Sequence, residues 1–139
     1  MENCIFCKIA KGEIDSVKIW EDDDVFAFLD AYPLTKGHCL IIPKKHSENI
    51  FDINDAILQK ITNAGKSISE KIKITLKADG IRLSQSNGKA AGQVVFHFHL
   101  HIIPRYEGDG LSMKIFTDNP PPPQADINEL KKLEEEINS

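Results

Sequence analysis

The sequence is poor in cysteine. It has three, Cys4, Cys7 and Cys39, and an odd number argues against a disulfide framework. It also has no apolar run long enough to span a bilayer. Basic charge is not in excess: Lys and Arg number 17 against 21 Asp and Glu, for a net charge of −4. The electrostatic footprint of a duplex nucleic-acid binder is therefore missing. The first residues, Met1-Glu2-Asn3-Cys4, carry neither the basic nor the apolar region of a signal peptide. These absences lead us to expect a cytoplasmic protein with reduced thiols and no membrane partner. A length of 139 residues with 41% apolar and 27% charged side chains suits one soluble globular domain with a real core.

What is present is concentrated in one stretch. His97, His99 and His101, three of the five histidines, alternate with Phe96, Phe98, Leu100 and Ile102. Period-two alternation predicts a β-strand with one apolar and one polar face. All three imidazoles would then project from the same face, with Phe98 and Leu100 turned into a core. Such a row is open to three readings. It could hold a metal. It could perform phosphoryl or acyl chemistry, one ring as nucleophile and its neighbours handling protons and charge. Or it could be a merely polar face, which fits one histidine better than three in register.

The remaining elements follow in order. Cys4 to Lys11 reads as a short helix or turn ended by Gly12. Val17–Glu21 and Val25–Leu29 read as a strand hairpin, with the charges of Glu21 to Asp24 solvated at its turn. His38-Cys39-Leu40-Ile41-Ile42 is a continuous apolar run suited to a central strand, with Cys39 an inert buried thiol. Asn54 or Asp55 caps a helix to about Ile74, whose Ile57, Ile61, Ala64, Ile68 and Ile72 make one apolar stripe. Ile81–Gln85 is a fourth strand. Ser86 to Gln93 is a Gly-rich loop that leads into the histidines, where small residues let backbone N–H groups approach an anion. Gly108 to Gly110 reads as flexible, Pro120 to Pro123 as an extended spacer, and Ile127 to about Ile137 as a short helix capped by Asp126. The class is α+β, an antiparallel sheet of about five strands with one long helix on it and short helices near both ends.

The Cys4-x-x-Cys7 spacing is either half a zinc site or a redox pair. A zinc reading needs two further ligands, for which His46 and His97 are candidates; the alternative is two reduced thiols beside a small core.

The histidine row followed by Pro104-Arg105 resembles the signature of the histidine triad family of nucleotide hydrolases and transferases, in its Hint-like bacterial branch. The resemblance extends from Cys4 to about Tyr106. It takes in Cys4-Ile5-Phe6-Cys7-Lys8-Ile9, Phe28-Leu29-Asp30, Gly37-His38, Ile42-Pro43-Lys44-Lys45-His46 and Gly88-Lys89-Ala90-Ala91-Gly92-Gln93. It implies a catalytic domain over residues 1–106, with 107–139 an extension of that domain, and a homodimer with sheets joined edge to edge. It implies that His99 is the nucleophile at an α-phosphorus, its other ring nitrogen donating to a backbone carbonyl. His101 would stabilise charge on the phosphate oxygens and His38 would support it. Substrate contacts would come from Ile5, Phe6, Phe28, Asp30 (ribose hydroxyls), Asn87, Gly92, Gln93 and Val94, with Ile9 and Ile14 either lining the base or simply core. Structural zinc would sit on Cys4, Cys7, His46 and His97. Two positions depart from the branch. Ser86 stands where Asn is common, with Asn87 adjacent, and Val94 stands where Ser or an acidic residue is common, near the leaving group. The implied reaction is release of a nucleoside monophosphate from purine nucleoside phosphoramidates or related nucleotides. Dinucleoside polyphosphate hydrolysis, a nucleotide-binding module without turnover, and a three-histidine metal site are the alternatives.

Overall fold

The computed structural model describes residues 3–111 and 122–139. Among them, five strands form one antiparallel sheet: β1 (Val17–Glu21), β2 (Val25–Leu29), β3 (Cys39–Pro43), β4 (Gly80–Ser84) and β5 (Leu100–Arg105), in the order β1-β2-β3-β5-β4. Three α-helices accompany them, α1 (Ile5–Ala10), α2 (Asp55–Thr75) and α3 (Ile127–Ile137), with one 3-10 turn at Lys89–Ala91. The expected α+β class and its antiparallel sheet with one long helix are what the chain adopts.

Helix α2 starts where Asn54 Oδ1 accepts the N–H groups of Ala56 (2.9 Å) and Ile57 (3.2 Å), satisfying donors that no earlier turn can reach. Its buried residues are Ile61, Ala64, Gly65, Ile68 and Ile72. They meet Val25, Ala27, Leu29, Ile41, Phe98 and Ile102 on one face of the sheet, and Leu130 and Ile137 of α3 join the same core. Gly65 lets α2 lie close to the histidine strand: a Cβ there would be 3.2 Å from Leu100 Cδ2. On the other face Phe26, Phe28, Leu40 and Ile42 pack against Phe6 and Ile9 of α1. Strand β3 is therefore covered on both faces, as its unbroken apolar run requires.

Several local expectations are corrected. Paired strand structure in the histidine stretch begins only at Leu100. The β3–β5 register pairs Cys39 with Ile102 and Ile41 with Leu100, so its continuation would set Pro43 opposite Phe98. Pro43 has no N–H to give the Phe98 carbonyl, its own carbonyl accepts His97 Nε2 at 2.7 Å, and Phe98 N–H donates to the Ser47 carbonyl at 2.7 Å. The Glu21–Asp24 charges are not merely solvated. Asp22 Oδ1 accepts the N–H groups of Asp24 and Val25 at 2.8 Å each, and Lys60 bridges to Asp24 at 2.5 Å. Around Gly108–Gly110, the Asp109 carboxylate takes two bonds from Arg105 (2.7 and 2.9 Å) and one from the N–H of Leu111 (3.0 Å), so this turn is pinned. Of the Pro120–Pro123 spacer, Pro120 and Pro121 lie outside the described residues.

Candidate active site and metal centre

The histidines share the sheet face occupied by α1. The Phe6 ring stands edge-on to His97 at 6.0 Å and to His99 at 5.1 Å, and the His99 and His101 rings are 5.1 Å apart. The common face expected from alternation thus exists, although only His101 belongs to a paired strand.

The hydrogen bonds fix the proton positions. His99 Nδ1 lies 2.7 Å from the His97 carbonyl oxygen. A carbonyl only accepts, so Nδ1 carries the proton and Nε2 keeps its lone pair. The N–H of Leu34 donates to His38 Nδ1 at 3.0 Å, so neutral His38 has its proton on Nε2. That N–H donates to His101 Nδ1 at 2.9 Å, and neutral His101 must carry its own proton on Nε2. A relay thus runs from the Leu34 backbone through two imidazoles and ends in a donor. Burial keeps the rings neutral by penalising charge: His38 is lowered to about 4, and His101 to about 3 with help from the neighbouring His38 and His99. His99 is lowered by burial too, partly opposed by its bond to the His97 carbonyl.

Asp30 leaves the end of β2 beside this relay, with Oδ2 3.5 Å from His38 Nε2. Burial raises its carboxyl, while the Tyr32 N–H on Oδ1 (2.8 Å) pulls the other way. Phe6, Phe28 and Ile9 are buried, Ile14 is partly buried against the same cluster, and Ile5 is exposed. The candidate base-lining positions therefore form a small apolar core with an open edge at Ile5.

The loop before the histidines is organised by a side chain the sequence did not single out for this role. Gln93, 4% exposed, donates through Nε2 to the carbonyls of Glu48 (2.6 Å) and Val95 (3.1 Å), and its Oε1 accepts Gly88 N–H at 2.7 Å. The N–H groups of Gly92 and Gln93 both donate within the loop, to Lys89 and Gly88 carbonyls. The Asn87 amide is likewise engaged, accepting the Ile50 N–H at 2.7 Å and bonding Gln85. Val94 is 84% exposed, three residues before His97 in the sequence. The sequence marks Gln93 as the end of the Gly88–Gln93 motif and as a substrate contact, but nothing in it says that the side chain bridges the loop backbone.

Cys4, Cys7, His46 and His97 come together. Cys4 Sγ is 3.3 Å and Cys7 Sγ 3.5 Å from His97 Nδ1, Cys7 Sγ is 3.3 Å from His46 Nδ1, and all four ligand atoms lie within 4.8 Å of one another. A tetrahedral zinc ion with Zn–S near ~2.3 Å and Zn–N near ~2.05 Å has S···N edges of about 3.6 Å, so the donor set fits such an ion. His97 Nε2 donates to the Pro43 carbonyl at 2.7 Å, the outer contact that orients a metal-binding imidazole. Without a metal, burial raises the Cys7 thiol. Cys39 is wholly buried away from this group, its thiol also pushed up by burial.

A five-stranded sheet with one long helix behind it and a row of neutral, hydrogen-bonded imidazoles in front defines a small α+β protein built for histidine chemistry. The chain belongs to the histidine triad family: the family profile described as HIT domain matches residues 11–108. The curated Protein hit of Bacillus subtilis is 48% identical over 110 residues, covering 78% of this chain and 76% of that protein. A hypothetical histidine triad nucleotide-binding protein of Sulfolobus tokodaii is 39% identical with a TM-score of 0.85, over 97% of this chain and 89% of that one. A zinc-bound histidine triad family protein of Mycobacterium smegmatis is 32% identical with a TM-score of 0.84, over 99% and 91%.

Proposed function

We propose that this protein is a nucleotidyl hydrolase that cleaves at the α-phosphate of purine nucleoside phosphoramidates or related nucleotides. The observation that carries the reading is the tautomer of His99. With its proton held on Nδ1 by the His97 carbonyl, Nε2 offers an unprotonated lone pair at neutral pH. That nitrogen attacks phosphorus, the leaving group departs, and a nucleotidyl-histidine forms; water then releases the monophosphate. His101, its proton placed on Nε2 by the His38 relay, donates to a phosphate oxygen as charge develops. Phosphoryl transfer asks mainly for such positioning and charge stabilisation. Asp30 holds the ribose hydroxyls, and Ile5, Phe6 and Phe28 flank the base. The likeness to a protein described as histidine triad nucleotide-binding supports the choice of ligand.

Cys4, Cys7, His46 and His97 hold a structural zinc ion in this reading, which the zinc-bound relative supports. Zinc there fastens α1, and with it Phe6, to the histidine stretch; four protein ligands leave no open position for substrate. Two copies pair through β4, a sheet edge on which Leu83 is 50% exposed.

The test is His99→Ala assayed with an adenosine phosphoramidate and a diadenosine polyphosphate. AMP release should vanish while AMP binding, followed by calorimetry, stays within a few-fold. Undiminished release by the variant removes His99 from the chemistry. The faster substrate decides between phosphoramidate and dinucleoside polyphosphate hydrolysis, and binding by the unaltered protein without release from either favours a nucleotide-binding module.

A further inference from the structure

One peptide unit is shared by the four-donor cluster and the triad. The amide between His97 and Phe98 accepts the His99 Nδ1–H through its carbonyl at 2.7 Å and donates its N–H to the Ser47 carbonyl at 2.7 Å. Ser47 directly follows His46, a member of the cluster, and the carbonyl belongs to His97, another member. His97 is held on both ring edges, by the two thiols at Nδ1 (3.3 and 3.5 Å) and by the Pro43 carbonyl at Nε2 (2.7 Å). Both chain segments that meet at this amide are thus anchored by a ligand side chain within one residue. An amide bonded at both ends is also polarised by each partner, which strengthens the other bond.

We propose that Cys4, Cys7 and His46 are positioning residues for His99: with zinc in the cluster they hold the His97–Phe98 amide so that its carbonyl keeps the His99 proton on Nδ1 and the reactive lone pair on Nε2. This rests on His99 as the nucleophile and assigns the metal centre a task beyond fastening α1. The His46 branch is informative because it reaches the amide through Ser47 without passing through α1, where Phe6 sits.

The test uses the full chain with ¹⁵N-labelled histidine, its His99 signals assigned by their loss in His99→Gln. Long-range ¹H–¹⁵N spectra report the tautomer directly, independent of turnover. The zinc-loaded protein should show a single Nδ1–H form. Zinc-stripped protein and His46→Ala, each folded by circular dichroism, should show mixed tautomers. In each kcat should fall about tenfold or more, the scale of lost outer-shell support at metal sites, with KM for the nucleotide within about twofold. Zinc-loaded His46→Cys, which restores a fourth donor, should return to one tautomer. A single unchanged tautomer with unchanged kcat in folded, zinc-free protein overturns the proposal. So does a mixture that persists in zinc-loaded His46→Cys. Collapse of the fold in both the stripped protein and His46→Ala overturns it in favour of a centre that only holds the fold. Absence of turnover in the zinc-loaded unaltered protein counts against the nucleotidyl hydrolase reading, while the tautomer spectra still decide the coupling.

Discussion

His38 is the residue on which the rest of the relay depends. It is 1% exposed, its Nδ1 is committed to the Leu34 N–H, and it hands its only proton to His101. Burial lowers it to about 4, whereas in the unfolded chain a histidine titrates near ~6.5. The folded pKa is the lower one, so as pH falls the unfolded chain takes up the proton first. The stability held by neutral His38 is complete above about pH 6.5 and is lost as pH drops toward about 4, at roughly 1.4 kcal/mol per pH unit. Urea denaturation midpoints of the unaltered protein should fall over that window, and those of His38→Gln should fall less steeply. Asp30, raised by burial, has the opposite sign and offsets part of the loss. Equal slopes for the two proteins would remove His38 from the acid response. At this scale the sequence was readable where residue type and spacing carry the chemistry: the five histidines and two of the cysteines were singled out, and they converge into two groups. For His99 the resemblance implies a ring nitrogen donating to a backbone carbonyl, and the 2.7 Å contact with the His97 carbonyl has that geometry; which carbonyl it is, and the tautomers of His38 and His101, are not readable, because they depend on carbonyls and N–H groups that every residue has. The backbone of Leu34, Pro43 and Ser47 carries no mark in the sequence.

At the scale of elements, the loop from Asp30 to His38 is set by contacts at its far end. Gly37 has φ +93°, and a Cβ there would lie 2.6 Å from Leu76 Cδ1 at the end of α2 and 3.2 Å from Pro104 Cγ on β5. Positive φ and close approach both demand glycine. Gly37→Ala should therefore cost about 2 kcal/mol in denaturant unfolding and, by moving the adjacent His38, lower turnover as well; a neutral substitution would show that the loop end adapts freely. The helices and strands are legible because their apolar patterns differ: a 3.6 period in α2, a period of two in β1, and unbroken apolar runs in β2 and β3. Their ends shifted by a residue: β3 runs Cys39–Pro43 where the sequence suggested a stop before Pro43. Proline at the end of a strand loses one donor but still packs, and Pro43 pairs with Val25. Alternation predicts a continuous strand through the histidine stretch because it records which face a side chain takes, and that alternation survives even where no partner strand provides hydrogen bonds.

For the whole molecule, the two sheet faces have different tasks. One is sealed by α2 and α3; the other carries α1, the Cys4 and Cys7 thiols and the imidazoles. The narrow apolar stripe of the C-terminal helix does not say where it docks; Leu130 and Ile137 seat it on the α2 side, and Asn138 Nδ2 donates to the Ile19 carbonyl of β1 at 3.1 Å. Among the described residues β4 is an outer strand of the sheet, and an outer strand is where another strand can add. If pairing uses this edge, Leu83→Asp should shift a dimer to monomer in light scattering at micromolar concentration, and a dimer unchanged by the substitution would place the interface elsewhere.

In the proposed reaction His99 becomes covalently nucleotidylated. This step is tested most directly by rapid acid-free quenching of the protein with an adenosine phosphoramidate, followed by intact-mass analysis and peptide mapping. The expected result is an acid-labile adenylyl adduct on His99 that forms and decays with turnover and is absent from His99→Ala. AMP release with no adduct at any time, or an adduct on another residue, would contradict it.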